Sequence, residues 1–501
     1  MKRLICLVLI ALMLIPALIS CGEKPPVSGD TTPAVNDPTV TDAPAVTTEP
    51  PETPDIPEGV YYDSYTFKVL VTGNFVNNDF QSDGLGTDVV SDAIYRKNAA
   101  VEAQLGIVIE NVDKIAFGSS GGSGTGYSEM KKLYDAASFD YDIAMVGTYD
   151  VANLAQGGYI TDLNKVDYID TTRSWWDQMA NRDLTINGKL YFTTGDISLT
   201  DNIITHCIMF NKGILQAGAD LLNPYQLVRE NKWTYDTFIA EAKKVGEDLN
   251  GDDKMDTSDR YGLMTWNDAA LAVLNSSLSR ICAVNEDGAI ELTLNTEASL
   301  AVLEKYSDIH NSENCFNYQK FDSTTSSWDP NRIKVFDEDL AYYYMTTFNT
   351  VPKHRDKDTD FGILPFPKLS ADQETYGHLV SAYHCNFLCI PYFSEDIERT
   401  GIITEVLAYT SQQILTPAYY EKTLVGSVIR DEESAEMLDI IFASRVFDVG
   451  AYFKVGSYTT SIPSLISNNQ IGTFSSTVQK TSRAAAVQLN NINKQFAKTE
   501  D

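Results

Sequence analysis

Twelve residues, DLNGDDKMDTSD at 248–259, carry side-chain oxygens at the spacing of a calcium loop. Asp248, Asn250, Asp252, Asp256 and Asp259 fall at positions 1, 3, 5, 9 and 12, and Lys254 would offer its backbone carbonyl at position 7. Hard oxygen donors so placed can wrap one divalent ion, so a structural calcium is expected here. Two features depart from the pattern. Asp253 stands where glycine usually makes the turn, although Asp tolerates a left-handed backbone better than most residues. Asp259 replaces the longer Glu. The competing reading is a solvated acidic turn.

No comparable pattern offers catalysis. GSSGGSGTG at 118–126 lacks the Lys-Ser/Thr of a phosphate-binding loop. The five histidines form no HExxH, and no nucleophile elbow is present. CNFLC at 385–389 has neither metal nor redox spacing. Glycoside hydrolysis needs a carboxyl pair, and the 69 acidic residues offer many pairs with none singled out. The residues themselves single out no catalytic group, and the expectation of a non-enzyme rests on the family resemblance given below.

One thiol has a distinct setting. Met1-Lys2-Arg3 precedes an apolar run from Leu4 to Ile19, too short to span a bilayer, and Ser20 is small. Residues 1–20 read as a signal peptide. Leu18-Ile19-Ser20-Cys21 resembles a bacterial lipobox, so Cys21 is expected to carry lipid, palmitate included, and become the first mature residue. Two or more acyl chains make a durable anchor. Residues 22–60 hold nine of the 18 prolines and no aromatic residue. Such a stretch cannot bury enough apolar surface to order itself, so 21–60 reads as a lipidated cysteine and a disordered tether. Cys207, Cys282, Cys315, Cys385 and Cys389 remain, and buried free thiols are the default for them.

The 501 residues exceed one core and suit two lobes. A formal charge of −31 repels nucleic acid and anionic lipid, which leaves lipid anchoring as the only membrane contact. From Tyr65 strand and helix alternate. Thr66–Thr72 reads as a strand, Ser91 as the cap of a helix stopped by Gly106, and Ile107–Val112 as a second strand. A third covers 141–146, another 203–210, and a helix 234–246. The alternation predicts an α/β fold with a largely parallel sheet, and the tail after Gly401 is mostly helical.

The segments RKNAAVEAQLGIVIE, YDIAMVGTYDVANLAQGGYITDL, IMFNKGIL, NKWTYDTFIAEAKK, FGILPFPK and TPAYYEKTL, in this order, resemble the family 1 extracellular solute-binding proteins, lipid-anchored receptors of carbohydrate ABC importers. The resemblance implies an α/β, two-lobe, periplasmic-binding-protein-like clamp of type II. It places a first lobe at 61–207 and 368–418 and a second at 208–367 and 419–501, with crossings at IMFNK (208–212) and ILPFP (363–367). It implies a monomer on the outer face of the cell membrane that captures a carbohydrate and passes it to an ABC permease. A surface-anchored glycoside hydrolase and a receptor for a non-sugar solute such as a peptide are the alternatives.

A sugar offers apolar faces and hydroxyl edges, so its receptor needs aromatic plates beside carboxylates and amides. Tyr149 and Asp150 follow the third strand, where open α/β sheets bind ligands, and Asn74 and Phe75 follow the first in the same way. Trp175, Trp176 and Trp328 are candidate plates, as is Phe348 after AYYYMTT. Trp266, Asn267 and Asp268 follow a strand at 261–265. Trp233 reads as structural. Asp150, Asn267 and Asp268 could instead cap helices.

Overall fold

The structure, a computed structural model, describes residues 52–498 except 75–78, 83, 87, 117–123, 219, 322–329, 422–423 and 425–430. Nine strands build two sheets: β1 (Tyr65–Val71), β2 (Ile107–Asp113), β3 (Ile143–Gly147), β4 (His206–Asn211), β5 (Tyr261–Thr265), β6 (Cys315–Asn317), β7 (Ala341–Thr347), β8 (Phe361–Leu364) and β9 (Asn386–Cys389). The first sheet runs β9-β3-β1-β2 and the second β8-β4-β7-β5-β6. Each is the core of one lobe of a two-lobe α/β fold. The first sheet is largely parallel, as the sequence predicts, with one antiparallel edge strand, while the second is evenly mixed. β9 is antiparallel to β3, and β4 is antiparallel to both β7 and β8.

Local chemistry explains the first lobe. β1 buries Phe67, Val69, Leu70 and Val71. Helix α1 (Val89–Leu105) turns Ala93, Ile94, Val101 and Leu105 inward. Its cap is Asp88, whose carboxylate accepts from the Val90 and Ser91 N–H groups, so the expected cap at Ser91 lies inside the helix. Gly106 ends it at φ +65°, a left-handed position that glycine takes without strain. Lys97 is fully buried, yet its ammonium reaches the Asp79 carbonyl at 2.5 Å and lies 4.5 Å from the centre of the Phe80 ring. Burial lowers its pKa to about 8.

The chain meets the body earlier than the tether boundary at 60 suggested. Ile56 and Val60 pack against the core, and the Glu52 carboxylate accepts from the Ser174 N–H at 3.2 Å. Two apolar side chains in the proline-rich stretch suffice to seat its last residues. In the second lobe, Thr234 caps a helix at Tyr235–Lys243, which ends three residues earlier than expected.

β4 and β8, which contain IMFN and the Ile-Leu of ILPFP, are neighbours in the second sheet, with Ile363 opposite Met209. The passages between lobes lie beside them. Residues 203–206, 378–381 and 444–447 run side by side. Thr205 bridges Val380, His378–Leu379 pairs in parallel with Arg445–Val446, and the Val380 N–H donates to Val446 O at 3.1 Å. Cys207, Cys282, Cys385 and Cys389 are buried free thiols, and Cys315 is buried as well. No helix among the described residues is long and apolar enough to cross a membrane.

Candidate functional site

The carboxyl ends of the strands face a cleft of about 520 Å³. Tyr149 comes to it from just beyond β3, Trp266 and Asp268 from beyond β5, Tyr318 and Gln319 from beyond β6, and Asn349 and Thr350 from beyond β7. The inter-lobe passages supply His206, Leu379 and Ser381, and a C-terminal segment supplies Lys454, Thr459 and Thr460.

Three rings form a plate. His206 and Trp266 stack with centroids 5.6 Å apart and planes 13° apart, and Tyr318 lies on Trp266 at 6.2 Å and 19°. His206 Nδ1 sits 2.8 Å from Leu379 O, which fixes it as the protonated nitrogen donating to that carbonyl. Burial lowers the His206 pKa to about 4, so the ring is neutral. On the first-lobe side the Lys454 ammonium lies 4.2 Å from the centre of the Tyr149 ring. Lys454 holds a left-handed backbone at φ +51°, as do Gly456 and Ser457 at +58°. Burial lowers the lysine's pKa and the nearby Asp150 carboxylate raises it.

Asp268 is the one acidic side chain among the described residues lining the cleft. It is exposed at the start of a helix, and makes no capping bond to it. Partial enclosure by the cleft walls raises its pKa.

The other sequence candidates are placed as follows. Asn74 is buried beside the cleft and donates through Nδ2 to Tyr383 O at 3.0 Å, and Tyr383 itself lines it. Asp150 is buried, and accepts from the Gly124 and Tyr127 N–H groups at 2.9 and 3.1 Å, which ties it to the start of the helix Thr125–Ala136. Asn267 donates its backbone N–H to Gln319 Oε1 and accepts from Asn317 Nδ2, both at 2.8 Å, and so braces the loop under Trp266. Phe348 is fully buried and stacks on Phe442 at 5.1 Å. Trp175 and Trp176 are buried away from the cleft, each donating its indole N–H to one oxygen of Glu405 at 3.0 Å. Trp233 is buried and donates to Pro365 O at 2.8 Å. Phe75, Trp328 and Cys21 lie outside the described residues.

Sequence reasoning missed His206, Tyr318, Gln319 and Lys454. Tyr318 and Gln319 follow a strand end as Trp266 does, so the same rule applied to β6 finds them. His206 opens a strand, and nothing local marks it.

In the acidic loop the five candidate oxygen donors are turned onto the backbone. Asp248 accepts from the Gly251 and Asp253 N–H groups, Asn250 from Asp252, Asp252 from Lys254, Asp256 from Ser258, and Asp259 from Leu249 and Asp256. Asp253 makes the turn at φ +62°. Among the described residues no three His, Cys, Asp or Glu side chains converge to hold a metal. As folded here the loop does not present a finished ion cage.

No family model matches the chain, and no curated protein matches it. Solved structures do. The galacto-N-biose-/lacto-N-biose I-binding protein of the ABC transporter from Bifidobacterium longum aligns with TM-score 0.56 at 11% identity, over 88% of this chain and 100% of that one. This chain has the solute-binding-protein fold. A cyclo/maltodextrin-binding protein solved with maltotetraose gives 0.55 at 11% identity, covering 87% and 98%. The ABC substrate-binding protein Lmo0181 from Listeria monocytogenes, solved with cycloalternan, gives 0.51 at 12%, covering 87% and 100%.

Proposed function

We propose that this protein captures a carbohydrate in the cleft between its lobes and delivers it to an ABC importer, while Cys21 anchors it by lipid to the outer face of the cell membrane. The observation that carries the reading is the His206–Trp266–Tyr318 stack beside Asp268. Flat rings suit the apolar face of a sugar, and an unshared carboxylate suits its hydroxyls. The solved structures of like fold bind maltotetraose, cycloalternan and lacto-N-biose, which supports the same guest class here. Ligand that touches Tyr149 and Trp266 together favours a closed arrangement of the lobes by its differential affinity for it.

The reading is of a receptor rather than a hydrolase because glycoside hydrolysis uses two flanking carboxyl groups. Asp268 stands alone among the described lining residues. A thermal-shift panel of oligosaccharides tests the assignment. A true guest at 100 times its Kd adds about 2.7 kcal/mol of stability and is recovered intact after prolonged incubation. A panel in which only peptides or other non-sugar solutes stabilise the protein, or in which the sugar is cut, overturns it.

Calcium at 248–259 is a separate proposal. Its support is the oxygen spacing and the left-handed Asp253, and binding would draw the carboxylates off the loop's own N–H groups.

A further inference from the structure

A second cavity, of about 330 Å³, shares no lining residue with the Trp266 cleft and lies beside the inter-lobe passages at Asp201, Asn202 and Arg445. Trp175, Trp176, Tyr419, Tyr420 and Phe442 form its aromatic wall. Its charged residues are Asp177, Asp196, Asp201 and Arg445.

Three carboxylates face one guanidinium, and the guanidinium is already engaged. Arg445 Nη2 meets Asp177 at 2.5 Å, while Nη1 donates to Asp201 Oδ2 at 2.9 Å and to Asn202 Oδ1 at 2.5 Å. Asp177 is also spent on the start of a short helix, accepting from the Ala180 N–H at 2.8 Å. Asp196 has no cation of its own, and Asp201 shares Arg445 with Asp177. Asp196 has the Thr416 hydroxyl at 2.6 Å. Asp201 is 1% exposed, and its Oδ1 has no hydrogen-bond partner although the residue lines the cavity.

A buried carboxylate oxygen with nothing to accept from is costly. The deficit shows in the acids, since burial raises Asp196 to about 6 and Asp201 to about 7. Among the described residues no three His, Cys, Asp or Glu side chains converge to hold a bare metal ion. The negative charge is instead spread around a space large enough for a small molecule and bordered by aromatic side chains.

We propose that this cavity binds a small organic cation, an alkylammonium or alkylguanidinium group whose charge meets Asp201 and Asp196 while its stem lies along the aromatic wall. The site is independent of the sugar cleft and of the reading given to it.

The test is calorimetric titration of the whole protein with putrescine and with n-butylammonium chloride. Sodium chloride at equal ionic strength and uncharged n-butanol are the references. The expected result is saturable binding of the amines alone. Asp201→Asn and Asp196→Asn each weaken it by about tenfold, the scale of one charged hydrogen bond. Asp268→Asn, in the other cavity, leaves it unchanged. Asp196 makes no ion pair with Arg445, so Asp196→Asn keeps the test usable where Asp201→Asn fails to fold. Amine heats no different from those of n-butanol, binding that survives both substitutions, or binding lost with Asp268→Asn each overturn the proposal.

Discussion

His206 and Trp266 lie nearly parallel, 13° apart in plane and 5.6 Å between centroids, although one opens β4 and the other follows β5. The contact holds the indole flat at the edge of the cleft. Trp266→Ala is expected to weaken sugar binding about tenfold, the loss of about 1.4 kcal/mol of ring contact. Because Trp266 is only partly buried, the melting temperature moves little. Calorimetry on the best guest from the panel, beside a melt of the free protein, reads both.

Asp268 makes no side-chain hydrogen bond that folding depends on. Asp268→Asn is therefore expected to leave the urea midpoint within about 0.5 kcal/mol of the parent, the range of an ordinary surface change. Guest affinity falls by tenfold or more, the scale of a hydrogen bond to a charged group. An affinity unchanged by this substitution would remove the carboxylate from the recognition scheme.

The Glu405 carboxyl, held by Trp175 and Trp176, is raised by burial from 4.5 to about 7. Between those values the folded state binds more protons than the unfolded one. Its contribution to stability is therefore full below about 4.5 and is lost as pH rises through 7, on the order of 3 kcal/mol in all. Glu405→Gln flattens that decline in a series of urea midpoints against pH. The variant starts lower in acid, since one indole N–H loses its acceptor.

His378 works with the opposite sign. Its Nε2 accepts from the Phe366 N–H at 3.0 Å, which leaves Nδ1–H to meet Ser444 Oγ at 2.8 Å. The proton already on Nδ1 makes this serine–histidine contact unfit for general-base work. Burial lowers the pKa from 6.5 to about 3. Stability from the neutral ring is present above 6.5 and is lost as pH falls toward 3. Nuclear magnetic resonance of the imidazole is expected to show no titration between pH 7 and the onset of acid unfolding. A midpoint near 6.5 contradicts it.

Calcium is expected to raise the melting temperature, and Asp248→Ala to abolish the rise. Asp248 also holds the Gly251 and Asp253 N–H groups, so the variant is compared with and without the ion. No shift for the parent at saturating calcium leaves the loop as an acidic turn.

Much of this protein was legible locally. β1, β2 and α1 are short-range patterns, and alternation or a terminal glycine suffices to find them. Gly106 ends α1 as its position suggests, and Trp233 is structural for the same local reason, a place before a capping threonine. Pairings between distant residues were not legible. Nothing near Trp175 announces that its indole will meet Glu405, 230 residues later. The tryptophan type suggested a plate for a guest, while a buried carboxylate decides its surroundings. Lys454 reaches Tyr149 from a run of left-handed backbone that no sequence pattern marks. Part of the cleft follows one rule, residues just past strand ends, and that rule finds Tyr149, Trp266 and Asp268 and applies equally to Tyr318 and Gln319 after β6.

The first sheet closes late in synthesis. Val146 waits for Phe387, which leaves the ribosome only after most of the polypeptide has been made. Until then the β3 edge is bare, with N–H and C=O groups ready to capture any passing strand. A truncated product ending after β3 but before residue 386 therefore carries an open edge, and aggregation rather than a half-sized functional fragment is its natural fate.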